Sequence, residues 1–106
     1  PDFVKKSKTL KGGESGTSVV VNSYDEAHAL LADAFPDYKK IKGTGPGSGG
    51  ISSNLKKGTY HMDFLKDSPT GRVYGHAEGG KHAYDAHINI LTEDGRKVNI
   101  VIEGVS

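Results

Sequence analysis

Along the chain the spacing of apolar residues changes from helical to alternating. Ala27, Leu30, Leu31 and Ala34 recur at intervals of three and four, which gathers them on one helical face. Ser23, with Glu26 three residues later, reads as a capping box; Asp25 and Glu26 suit the positive end of the helix dipole, and Pro36 stops the helix near Phe35. From Thr59 to Leu65 the period is two, with Tyr60, Met62 and Phe64 on one side and Thr59, His61 and Asp63 on the other. Turn formers fill Asp67-Ser68-Pro69-Thr70-Gly71, and Arg72 to His76 is extended again, so residues 59–76 are expected to form a hairpin. A second hairpin is expected from His87–Thr92 and Lys97–Glu103, turning on Glu93-Asp94-Gly95 with the glycine at the left-handed position. Pairing Thr92 with Arg96 sets Ile90 beside Val98 and Ile88 beside Ile100, and Ile102 continues that face.

The remaining segments carry less pattern. Residues 1–17 are basic and then Gly/Ser-rich, the composition of a linker or loosely held arm, which leaves 18–106 as a single domain. Ser18–Val21 is apolar but too short to classify. Gly43, Gly45, Pro46, Gly47, Gly49 and Gly50 mark a loop, and without Gly-Lys-Ser/Thr it does not read as a phosphate loop. The expected architecture is α+β, an N-terminal helix packed on a four-stranded antiparallel sheet.

Composition narrows the function classes. Of 106 residues, fourteen are Lys or Arg and thirteen Asp or Glu, so the formal charge of +1 lacks the basic signature of a DNA-coating protein. Lysines do cluster locally, at Lys5, Lys6, Lys8 and Lys11, at Lys39, Lys40 and Lys42, and at Lys56 and Lys57. The absence of cysteine removes disulfides, thiolate nucleophiles and cysteine zinc cages. No apolar run approaches the roughly 20 residues of a membrane-spanning helix, so membrane insertion is not expected. A chain starting at Pro1 rather than Met is expected to be a piece of something longer, with any export signal elsewhere.

The candidate chemistry follows from strand alternation. If the large aliphatics face the helix, His61 points opposite to Tyr60 and Met62, and His87 opposite to Ile88 and Ile90. By the same parity Arg72, Tyr74 and His76 oppose Val73, and Asn89 joins them on an uncovered face. Four of the five histidines fall between residues 61 and 87, while His28 lies apart on the helix. Imidazoles suit acid-base work near neutrality, one ring accepting a proton while another donates. RNA supplies its own nucleophile, the 2'-hydroxyl, so neither metal nor other cofactor is needed. Arg72, Lys57 or Lys81 is the expected cation beside the phosphate. Two alternatives remain open: a mixed nitrogen and oxygen metal site from His82 and His87 with Asp63, Asp85 or Glu78, and a non-catalytic module whose polar face holds a partner protein.

These residues also carry a likeness. Lys57-Gly58-Thr59-Tyr60-His61-Met62-Asp63, Thr70-Gly71-Arg72-Val73-Tyr74-Gly75-His76 and Lys81-His82-Ala83-Tyr84-Asp85-Ala86-His87-Ile88-Asn89-Ile90 resemble C-terminal toxin domains of bacterial polymorphic toxins, in particular the contact-dependent growth inhibition group. Such domains are similar to the compact ribonucleases that include barnase, EndoU and the tRNA-cutting colicins. The resemblance implies an endoribonuclease, often acting on tRNA without metal, delivered from a secreted or surface protein into the target-cell cytoplasm. It implies a cognate immunity protein and, in some relatives, a translation elongation factor as partner. It also marks His61, His82 and His87, with His76, as catalytic; Arg72, Lys57, Lys81, Tyr74 and Asn89 are expected to bind substrate by their charge or their place on the same face.

Overall fold

The computed structural model describes residues 2–41, 55–63 and 85–103. In chain order these form α1 (Asp2–Gly12), β1 (Ser18–Val21), α2 (Tyr24–Ala34), β2 (Lys39–Lys40), β3 (Thr59–Asp63), β4 (Ala86–Leu91) and β5 (Lys97–Ile102). The α+β class is as expected, but among the described residues the sheet has five strands in the order β1-β5-β4-β3-β2 and is mixed. β3, β4 and β5 are antiparallel neighbours, whereas β1 runs parallel to β5 and β2 parallel to β3. This corrects the four-stranded antiparallel sheet. Both added strands are edge strands of four and two residues, too short to show a period, and their pairing is decided by distant parts of the chain. The expected strand Arg72–His76 lies outside the described residues.

The β4–β5 hairpin follows its sequence pattern closely. Thr92 N–H donates to Arg96 O at 2.8 Å, Gly95 takes φ +89°, and Ile88 pairs with Ile100 and Ile90 with Val98. On β3 the partners are Met62 across from Ile88 and Tyr60 across from Ile90; on β1, Val19 and Val21 lie beside Ile100 and Ile102. These side chains and Ala27, Leu30, Leu31 and Ala34 of α2 make one core. Full burial of each such aliphatic contributes about 1.5–3 kcal/mol, which fixes the parity of β1, β3, β4 and β5.

α2 begins where expected. Ser23 Oγ accepts from Glu26 N–H at 3.1 Å, and the helix ends at Phe35, whose N–H donates to Leu31 O. The Glu26 carboxylate reaches the backbone N–H of Asn22 (3.5 Å) rather than that of Ser23, and also accepts from Lys6 Nζ at 3.2 Å.

The segment expected as a loose arm is instead α1, packed on α2 and β1. Leu10 and Ser7 are buried, and Ser7 Oγ donates to the Asp33 carboxylate. Its C-terminal end is closed from across the chain: the Arg96 guanidinium donates to the carbonyls of Leu10 (3.3 Å), Lys11 (2.6 Å) and Gly13. Eleven residues with one buried aliphatic are marginal as an isolated helix, so tertiary contacts hold this one.

Candidate active site

The alternation that buries Ile88, Ile90, Ile100 and Met62 turns the intervening residues to the opposite face. Strand pairing then lines them up across the sheet. Ser18 lies beside Asn99, Asn99 opposite Asn89, and Asn89 opposite His61, a polar row spanning β1, β5, β4 and β3. The next row holds Val20, Val101 and His87, with Asp63 in register across from His87. His61 and His87 are thus diagonal neighbours on adjacent strands, a relation that places backbones about 7–8 Å apart.

The hydrogen bonds orient both rings. Asn89 Nδ2 donates to His61 Nε2 at 3.2 Å, which assigns the neutral-ring proton of His61 to Nδ1. His87 Nδ1 lies 3.0 Å from the backbone carbonyl of Asp85. A carbonyl only accepts, so Nδ1 carries the proton and Nε2 is the acceptor nitrogen of the neutral ring. Ser18 Oγ and Asn99 Oδ1 are buried and, among the described residues, make no hydrogen bond.

One expectation is corrected here. The face is not open: His61 is 1% exposed and His87 0%, although Val20 near the β1 edge is 44% exposed. Alternation selects the face but does not decide whether other chain covers it. Among the expected site residues, the sheet brings together His61, His87 and Asn89. Lys57 stands exposed at the end of the sheet where β4 turns into β5, with its Cε near Gly95, and not beside His87. His76, His82, Arg72, Tyr74 and Lys81 lie outside the described residues, as does Glu78. Among the described residues no three His, Asp or Glu side chains are grouped to hold a metal ion. His28 is exposed on α2.

Asn99 and Ser18 were not singled out as site residues. Asn99 was within reach of the sequence, because pairing Thr92 with Arg96 also pairs Asn89 with Asn99. Ser18 was not, since its place depends on the parallel pairing of β1 with β5. Comparison of the chain with protein-family models, with curated proteins and with solved structures finds no match in any of the three.

Proposed function

We propose that this domain is a metal-independent endoribonuclease, the toxin module of a larger secreted or surface-delivered bacterial protein, acting on RNA, with tRNA the first substrate to test. The observation that supports the reading is the pair of differently oriented imidazoles, His61 and His87, on one sheet face with Asn89 between them. His87, its Nδ1–H fixed on a backbone carbonyl, is the general base: Nε2 takes the proton of the 2'-hydroxyl. The 2'-oxygen then forms a bond to the adjacent phosphorus as the bond to the 5'-oxygen breaks, and His61, protonated with the Asn89 amide turned so that its Oδ1 accepts from Nε2–H, gives the leaving oxygen the proton on Nδ1. The products are a 2',3'-cyclic phosphate and a 5'-hydroxyl. Both rings are enclosed, so contact with RNA requires them to become exposed. An immunity protein and an elongation factor of the target cell are the partners proposed with this reading.

The same enclosure favours a second reading, in which His61, Asn89 and His87 are a structural polar layer in a binding module without chemistry. Incubating the purified chain with tRNA and total RNA in EDTA, and sequencing the RNA ends, separates the two. Cleavage leaving cyclic phosphates, reduced about 10²–10⁴-fold in folded His61→Gln and His87→Gln variants, supports the ribonuclease. A folded native chain that cuts no RNA supports the module, and cleavage abolished by EDTA supports a metal-dependent nuclease.

A further inference from the structure

The near-neutral charge of the chain is an average over unlike parts. The whole chain carries +1, and α1, with four lysines and one aspartate, carries +3, so the remainder carries −2. The four lysines are not equivalent. Lys6 turns inward to Glu26 (3.2 Å) and Asp2 (3.4 Å); burial opposes its charge, but the hydrogen bond and charge of Glu26, then of Asp2, hold its pKa above the usual lysine value. Lys5, Lys8 and Lys11 are exposed, and among the described residues their ammonium groups make no ion pair. They recur every third residue, in steps of about 4.5 Å along the axis.

Two further observations favour an anion on this face. Lys5 and Lys8 line an open groove of about 690 Å³ with Val4, Thr9, Gly12 and Gly13, and at Gly12 even a Cβ would meet nothing within 4 Å. A helix C-terminus ordinarily carries partial negative charge that repels anions. Here the Arg96 guanidinium, held by Asp94 on its other side, occupies the carbonyls of Leu10, Lys11 and Gly13 and offsets that charge. Apolar exposure on α1 is confined to Phe3 and Val4, short of the apolar stripe that a membrane-surface helix inserts.

We propose that the outer face of α1, through Lys5, Lys8 and Lys11, binds the phosphate backbone of a nucleic acid. The surface belongs to the helix layer, on the other side of the sheet from His61 and His87, so it holds the strand without touching the bond that is cut. The choice of RNA as the natural ligand rests on the ribonuclease reading; the binding itself does not.

The test titrates the full chain with labelled tRNA and with a labelled deoxyoligonucleotide, which has no 2'-hydroxyl to attack, over a range of salt concentrations. The variants are Lys5→Glu/Lys8→Glu/Lys11→Glu, the milder Lys5→Gln/Lys8→Gln/Lys11→Gln, and Lys39→Glu/Lys40→Glu as a control, all checked for folding by thermal melting. Charge reversal on α1 is expected to weaken both probes about tenfold or more, and to reduce the slope of log affinity against log salt by roughly 2, at about 0.7 per single-strand phosphate contact. The glutamine variant should share the direction, and the control should match the native chain. Unchanged affinity in the α1 variants, equal loss in the control, or binding to phosphatidylserine vesicles but to neither nucleic acid overturns the proposal. If native chain and α1 variant cut and bind RNA alike, this proposal fails and the ribonuclease stands. If deoxyoligonucleotide binding falls with the α1 lysines and no RNA is cut, the surface stands and the ribonuclease fails.

Discussion

Asn89 donates through Nδ2 to Nε2 of His61, 3.2 Å away across a directly paired position of β3 and β4. The contact makes Asn89 a positioning residue for His61 rather than a group that meets substrate alone. Asn89→Leu keeps the branching at Cγ and removes the amide. It is expected to destabilise the domain by about 1–3 kcal/mol, since a buried ring nitrogen loses a donor. It should also change the imidazole nitrogen shifts of His61 in an NMR spectrum and slow RNA cleavage. Unaltered nitrogen shifts would show that the amide does not set the tautomer.

Arg96 closes α1 from 85 residues away in sequence, donating to the carbonyl of Lys11 and its neighbours. Arg96→Ala leaves those carbonyls without their donor. The expected result is a loss of about 1–3 kcal/mol, with faster amide hydrogen exchange through α1 and earlier proteolysis near Gly12 to Gly16. Exchange in α1 equal to that of the native chain would mean that the guanidinium is not what anchors the helix.

Leu10 is the apolar anchor of α1 and is fully buried. Leu10→Ala is expected to lower stability by about 2–5 kcal/mol in denaturant titrations, the range for a buried leucine truncated in a packed core. A loosely held arm would give no change, so this substitution decides between the two descriptions of residues 2–12.

The Asp94 carboxylate is held below the usual aspartate range, first by the Thr92 hydroxyl and then by Arg96. A depressed folded-state pKa contributes stability that is complete above the unfolded value, about 3.9, and is lost as pH falls through the folded one. The stability gap between native chain and Asp94→Asn is therefore expected to be constant from neutrality down to about pH 5, and to shrink below about pH 4. A gap that does not narrow in acid would remove Asp94 from the pH dependence.

The antiparallel core was legible because its signals are local. Val98, Ile100, Ile88 and Ile90 alternate with polar residues, and the Thr92–Arg96 pairing sets a register that the structure keeps. The same parity put His61, Asn89 and His87 on one face. α1 escaped notice because Gly12, Gly13 and Gly16 advertise a linker, while its holding groups, Asp33, Glu26 and Arg96, are distant in sequence. Gly13 was misleading in particular: a Cβ there would stand 2.5 Å from Thr9 O, so the glycine serves a close approach rather than a free hinge.

By itself the sequence determined what depends on neighbours along the chain: the cap and length of α2, the turn at Gly95, and the face to which each residue of β3, β4 and β5 points. The tertiary structure alone decided the parallel edge strands β1 and β2, the docking of α1, and the enclosure of His61 and His87. The physical reason is one of range. Period and turn conformation are set by backbone sterics over a few residues, whereas strand partnership and burial are set by whichever distant surface excludes water most completely, and no local pattern encodes that choice.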